Sequence, residues 1–239
     1  MSLSKNHLKL ITSLSQKKYR LKHKLFIVEG VKVVKEFLNS PYELEVLFST
    51  ENSFSQIKTY IEISDQELKK ISSLKTPNKV LALFKIPLQK TLKPSGLVVA
   101  LDSINDPGNM GTIIRLCDWF GVKQLICSTE TVDCYNAKVV QSSMGSLART
   151  AIFYINLKEY LKETSLPIFI ADMNGQNIHQ TKFPSSAVLV MGNEANGISD
   201  SIRKTVSTKI SIPRFGNSQQ TESLNVATAT AILLSEFRR

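Results

Sequence analysis

Three short stretches of this chain bring amides, carboxylates, glycines and an arginine together at places where a strand gives way to a helix. The first, Asn105-Asp106-Pro107-Gly108-Asn109-Met110-Gly111, follows the apolar run 97–102 and precedes the helical pattern Ile113, Ile114, Leu116. Small residues after a strand let backbone approach a ligand closely, and open α/β sheets bind ligands beyond the carboxyl ends of their strands. Arg115 lies one turn into that helix. Its guanidinium could hold a phosphate bidentately or could make a surface ion pair with Asp118. The second stretch, Met191-Gly192-Asn193-Glu194-Ala195-Asn196-Gly197-Ile198-Ser199, follows the run 187–190 and reads as a ligand loop or a tight turn, with Ser199 or Asp200 capping a helix over 201–206. The third runs from Ile210-Ser211-Ile212-Pro213 through the polar loop 214–221 into Glu222-Ser223-Leu224-Asn225 and a helix over 224–237, where Ser223 could simply be an N-cap.

The patterns missing from these stretches narrow the chemistry. No G-x-G-x-x-G fingerprint, phosphate-binding P-loop, nucleophile elbow or zinc-ligand cluster is present, and His7, His23 and His179 fit no catalytic triad. Cys117, Cys127 and Cys134 are odd in number and lack C-x-x-C spacing, so they read as ordinary thiols rather than as a disulfide framework or metal site. Hydrolase, kinase and nicotinamide-dependent readings lose ground, and no metal is called for.

The elements that position these loops can be read from apolar periodicity. Leu3, Leu10, Ile11 and Leu14 suggest a helix, followed by an exposed polar loop over 16–24. Strands are expected at 25–28, 44–48, 60–63 and 80–84, with a helix over 31–38 and another opened by the capping-box pattern Ser64-Asp65-Gln66-Glu67 and running to 74. Pro87, Pro94 and Gly96 with intervening lysines mark a linker, which places a domain boundary near residue 90. Beyond it, apolar runs at 97–101, 124–127, 152–155, 168–171, 187–191 and 209–212 are continuous rather than alternating. Such strands are buried on both faces, so the expected fold is α/β with a largely parallel sheet between helical layers. The three polar loops would then converge on one side of that sheet.

Among 239 residues, 30 Lys and Arg face 20 Asp and Glu, a formal charge of +10, and residues 1–40 hold nine of the cations against two Glu. A concentrated basic segment releases counterions from polyphosphate, which suits nucleic acid, although a solvated basic helix and loop would look the same. No run is long and apolar enough for a membrane span and the first residues are polar, so a cytoplasmic protein is expected.

Taken together, Asn109-x-Gly111-x-x-x-Arg115, Gly192-Asn193-Glu194-x-x-Gly197, and Ile212-Pro213 with Ser223-Leu224-Asn225-Val226 resemble, in order and spacing, the three motifs of the SpoU (TrmH) RNA 2′-O-ribose methyltransferases of the SPOUT superfamily. The resemblance covers residues 97–239. Lys18-Tyr19-Arg20 and Phe26-Ile27-Val28-Glu29-Gly30 are similar to the L30e-like substrate-binding domain that precedes many such catalytic domains. What the resemblance implies is a small α/β domain over 1–90 and a methyltransferase domain over 91–239 with a C-terminal trefoil knot. It implies S-adenosylmethionine as methyl donor, contacted by Gly192, Asn193, Gly197, Ile212, Leu224, Ala171 and Asp172, and a homodimer whose site is completed across the interface. Arg115 would engage an RNA phosphate, while Asn109, Glu194, Ser223 and Asn225 orient donor, ribose and arginine; the proton acceptor is left open. RNA would be held by Lys17, Lys18, Arg20, Lys22 and Lys24, with Ser143 and Arg214 as further contacts. Ribosomal RNA of the 23S type is the expected substrate, with transfer RNA or a noncatalytic RNA-binding role as alternatives. Arg214, a long 216–221 loop and Ala227 depart from the usual pattern.

Overall fold

A computed structural model of the chain describes residues 3–88, 91–206, 208–216 and 223–239. In chain order its elements are α1 (Lys5–Ser13), α2 (Lys17–His23), β1 (Leu25–Glu29), α3 (Val31–Leu38), β2 (Leu44–Ser49), β3 (Tyr60–Glu62), α4 (Asp65–Ile71), β4 (Val80–Lys85), β5 (Leu97–Asp102), α5 (Pro107–Trp119), β6 (Gln124–Cys127), α6 (Ala137–Ser143), β7 (Ala151–Tyr154), α7 (Leu157–Glu163), β8 (Ile168–Asn177), β9 (Ala187–Gly192), α8 (Asp200–Arg203), β10 (Lys209–Ser211) and α9 (Val226–Phe237). They form two compact units, Met1–Gln89 with Asp133–Arg149, and Lys90–Val132 with Thr150–Arg239. The segment 133–149 therefore clusters with the first unit, although it lies in the second half of the sequence.

The first unit is built on a four-stranded sheet in the order β1-β4-β2-β3, with β2 and β3 parallel and the other neighbours antiparallel. Ile27, Phe48, Leu81 and Leu83 on one face meet Ile11 and Leu14 near α1 and Leu68 and Ile71 of α4. The other face carries an aromatic cluster in which Phe26 touches Phe37, Phe84 and, from the 133–149 segment, Tyr135. Tyr135 packs 4.7 Å from Phe26 between ring centroids, which explains why that segment belongs here. The capping box expected at Ser64 and Glu67 is formed in full, but α4 ends at Ile71 rather than at 74.

The expected loop over 16–24 is instead the helix α2, with Lys24 closing it in the left-handed conformation. The helix is held by Arg20, which is only 3% exposed. Its guanidinium donates to Asp133 Oδ2 at 2.9 and 2.6 Å and to the carbonyls of Leu14 and Ser15 at 2.8 and 3.0 Å. A polar sequence thus becomes helical because one buried arginine ties it to the end of α1 and to a distant segment, which local periodicity does not register.

The second unit is a three-layer α/β arrangement around a six-stranded sheet, β10-β8-β9-β5-β6-β7, in which every neighbouring pair is parallel. Strands β5 and β9 are buried almost throughout, as continuous apolar runs require. Val98, Ala100, Val188 and Val190 face α7 and α8 through Leu157, Leu161 and Ile202. On the opposite side, Phe237 of α9 meets Phe169 edge-on at 5.5 Å, and α9 packs along α5. Strand β8 is longer than expected. Its residue Ile170 pairs with Lys209 while Gln176 and Asn177 pair with Ile210 and Ser211, leaving 171–175 out of register. A Cβ on Gly175 would fall 2.5 Å from the backbone of Ile210, so the two segments cross with no room for a side chain.

Candidate functional site

Strand order reverses beside β5. The chain runs β5, β6, β7 to one side, then returns to lay β9 and β8 on the other. The loops that leave β5 and β9 therefore open next to each other at the carboxyl edge of the sheet, the position at which α/β sheets bind ligands. Two bonds close the seam. Asn193 Nδ2 donates to the carbonyl of Ser103 at 2.7 Å, and the Ser199 N–H donates to Asp102 Oδ2 at 2.7 Å. Asp102 is buried and Ser103 has φ +59°, a strained conformation for a residue with a side chain. Neither was singled out from sequence; the signal was a carboxylate ending a wholly buried strand, where it must find a donor.

The loop after β9 folds on itself. Asn193 and Gly197 exchange backbone bonds of 2.9 Å in both directions, and Asn193 Oδ1 accepts from the N–H groups of Ala195 and Asn196. A Cβ on Gly192 would lie 2.4 Å from Gly197 and Ile198 backbone atoms, and Gly197 itself has φ +65°. Both glycines are thus required by the turn, and the Asn193 side chain builds the loop. Ser199 occupies the cap position of α8 but makes no side-chain capping bond.

This turn carries Glu194 to a relay that joins all three sequence motifs. Asn109 Nδ2 donates to Glu194 Oε1 at 2.8 Å, and Asn225 Nδ2 donates to Asn109 Oδ1 at 2.9 Å. Its middle member and one end, Asn109 and Asn225, sit at helix starts. Asp106 caps α5 by accepting from the Asn109 N–H at 2.8 Å, and Asn225 caps α9 by accepting from the N–H groups of Ala227 and Thr228. The cap of α9 is therefore Asn225 and not Ser223, and the helix begins at Val226, two residues later than expected.

Arg115 is exposed on α5. Ser223 is also exposed, Leu224 is 47% exposed, and Ile212 and Ala171 are half-buried. Asp172 is taken up structurally. Its carboxylate pairs with Arg203, lies 3.9 Å from Lys209 Nζ and accepts from the Asn174 N–H, which fixes the irregular part of β8. Arg214 reaches the sulfur of Met173 at 2.9 Å. Glu222 and the loop residues 217–221 lie outside the described residues.

In the first unit, Lys17, Lys18, Lys22 and Lys24 are exposed. Two expected RNA contacts are not available in this form. Arg20 is buried in the ion pair with Asp133, and Ser143 is fully buried with its hydroxyl donating to the carbonyl of Val140 at 2.8 Å. All three cysteines are buried thiols. Among the described residues there is no group of histidine, cysteine and carboxylate side chains able to hold a metal, and no helix long and apolar enough to cross a membrane.

Comparison with known proteins agrees with this geometry. Residues 96–235 match the SpoU rRNA Methylase family, and residues 5–82 match the MRM3-like substrate binding domain. The chain is 31% identical to the 23S rRNA (guanosine(2553)-2′-O)-methyltransferase RlmP of Bacillus subtilis, over 94% of this chain and 93% of that one. A solved structure from Porphyromonas gingivalis, described as belonging to the TrmH family of RNA methyltransferases, superimposes with a TM-score of 0.90 at 36% identity, covering 98% of each chain. The AdoMet-bound rRNA methyltransferase of Sinorhizobium meliloti gives 0.87 at 26% identity, covering 100% of this chain and 97% of that one. With more than half its length matched by the family model, the chain belongs to the SpoU rRNA methylase family.

Proposed function

We infer that this protein transfers a methyl group from S-adenosylmethionine to a ribose 2′-hydroxyl of ribosomal RNA, of the 23S type. The observation that carries the reading is the Glu194–Asn109–Asn225 relay, which gathers three motif loops at the carboxyl edge of a parallel sheet. The name of the Bacillus subtilis relative, with which this chain shares nearly its whole length, supports ribosomal rather than transfer RNA.

The residues at that edge suit the donor. The tight 192–198 turn offers backbone groups, the exposed Leu224 and half-buried Ile212 offer an apolar surface for a purine, and Ala171 sits at the irregular section of β8. S-adenosylmethionine supplies a methyl group already activated on a sulfonium centre. The protein's share of the work is to hold the ribose oxygen in line with that methyl and to let its proton leave. Arg115 positions the RNA through a phosphate. A guanidinium keeps its proton near neutral pH and is a poor base, so Arg115 positions the phosphate and the ribose proton leaves to a different acceptor. Asp106 and Asn225 cap α5, which carries Arg115, and α9, which Ser223 precedes, while Glu194 ties the donor loop to Asn109.

The close crossing of β8 and β10 at Gly175 supports a knotted C-terminal chain path, an exception to the rule against threaded loops. The reading includes a cytoplasmic homodimer, with the exposed Arg115 face of α5 completing the partner's site, and a first domain over 1–90 that supplies RNA affinity. Calorimetry with S-adenosylmethionine and incubation of unmodified total RNA with labelled donor test it. Donor binding with label in the ribosomal fraction supports it; an absence of both overturns it.

A further inference from the structure

We propose that the groove between α1 and α2 is a stacking subsite for an unpaired nucleotide of the substrate RNA, with the Tyr19 ring as platform. The proposal rests on the RNA reading above and adds to it a place for a single base.

Two adjoining shallow depressions, widely open to solvent, lie along this groove, and Tyr19, Lys9 and Ser13 line both. Gln16 stands at one end and His23 at the other. The His23 ring lies nearly parallel to that of Tyr19, with 23° between planes and 6.4 Å between centroids, which extends the aromatic surface. Lys18 Nζ sits 4.8 Å from the Tyr19 centroid. An ammonium at an exposed ring face is weakly held, so an arriving base can take its place while Lys18 moves to the neighbouring phosphate.

The surroundings favour nucleic acid over an apolar ligand. Residues 1–28 contain no Asp or Glu. Lys9 lines the groove, Lys18 reaches the Tyr19 ring, and the exposed Lys17 and Lys22 lie on α2 with Lys24 at its C-terminal cap. Asp133, the carboxylate packed against α2, is neutralised by Arg20. The groove hydroxyls are satisfied internally, Thr12 and Ser13 each donating to a carbonyl of α1. Gln16, by contrast, holds the cap position of α2 without a side-chain capping bond. Its carboxamide offers a donor and an acceptor side by side, as recognition of a base edge requires. Arg20 thus acts on RNA indirectly, because it fixes the helix that carries the platform.

The test uses the full chain and an unmodified 23S rRNA transcript, with binding measured across a salt series. Tyr19→Ala should weaken binding roughly tenfold, as loss of one stacked base does, and leave the salt slope unchanged. Tyr19→Phe should bind like the parent, and Lys18→Ala should lower the slope by about one. In methyl transfer, Tyr19→Ala should raise KM for RNA with kcat retained. Parent-like binding by Tyr19→Ala overturns the subsite, as does an equal loss in Tyr19→Phe or an equal loss toward a fully paired RNA. If the parent chain neither binds nor methylates RNA, the functional reading fails and the subsite with it; a parent that methylates while Tyr19→Ala is indifferent removes the subsite alone.

Discussion

Asn109 donates to Glu194 across 85 positions of sequence, so that a helix start after β5 and a turn after β9 are held as one piece. The same amide accepts from Asn225, and its two faces therefore have fixed roles, oxygen toward α9 and nitrogen toward the carboxylate. An amide carries its donor and its acceptor on separate atoms, so one side chain can stand between a carboxylate and a second amide in this way.

Asn109→Asp is expected to break that relay by setting a second carboxylate against Glu194. Hydrogen bonds to charged groups contribute about 1.5–3 kcal/mol, so transfer should fall by roughly 10- to 100-fold. Single-turnover methyl transfer measures this, with circular dichroism checking that the fold is kept. Parent-like rates would mean that the relay does not position the reaction.

Arg20→Ala should destabilise the first unit by about 3–5 kcal/mol, because it leaves the mostly buried Asp133 carboxylate without its counter-charge and two carbonyls at the end of α1 without donors. Denaturant melts resolve such a change. A loss within the ordinary range for an exposed ion pair, below about 1 kcal/mol, would contradict the assigned role.

The capping box gives a pH dependence. Glu67 accepts from the N–H groups of Ser64 and Leu3, and these bonds hold its carboxyl below the usual range. A lowered folded pKa means the contribution is present above the ordinary carboxylate value and is lost as pH falls through the folded one. Melting temperatures of the parent and Glu67→Gln should thus differ near neutral pH and converge in acid. A constant difference would show that the charge is not what caps α4.

Cys117 is fully buried and its thiol is pushed up to about 12 by loss of solvation. Since the thiolate is the reactive form, none of the three buried cysteines should take up an alkylating reagent near neutral pH until denaturant is added. Rapid labelling of the native protein, read by mass spectrometry, would contradict the burial.

Much of this architecture is legible in the sequence because burial writes itself into pattern. The runs at 97–101 and 187–191 are continuous since β5 and β9 lie in the middle of a sheet covered on both sides, and the Ser64–Glu67 box announces α4 by its own chemistry. Asn109, Glu194 and Asn225 could be picked out by the resemblance of their motifs, whereas their mutual hydrogen bonds required the fold. What stayed hidden depends on distant partners. Helix α2 looks like a loop until Asp133 is known to receive Arg20, and Lys and Arg are indistinguishable as RNA contacts until one is seen to be buried. Asn225 rather than Ser223 caps α9 because its amide is already drawn to Asn109, a choice that local propensity cannot make. The long, irregular β8 reflects its crossing with β10, which lies more than thirty residues later.

Arg115, exposed on the helix whose first turn carries Asn109, is proposed to hold an RNA phosphate and so position a ribose for methylation. Unmodified ribosomal RNA incubated with methyl-labelled S-adenosylmethionine and either the parent chain or Arg115→Ala, then mapped for alkali-resistant linkages, tests it most directly. Label is expected at a ribose 2′-oxygen of the large-subunit RNA with the parent, and none with Arg115→Ala although that variant still binds the donor. No alkali-resistant site with the parent, or full transfer by the variant, would contradict it.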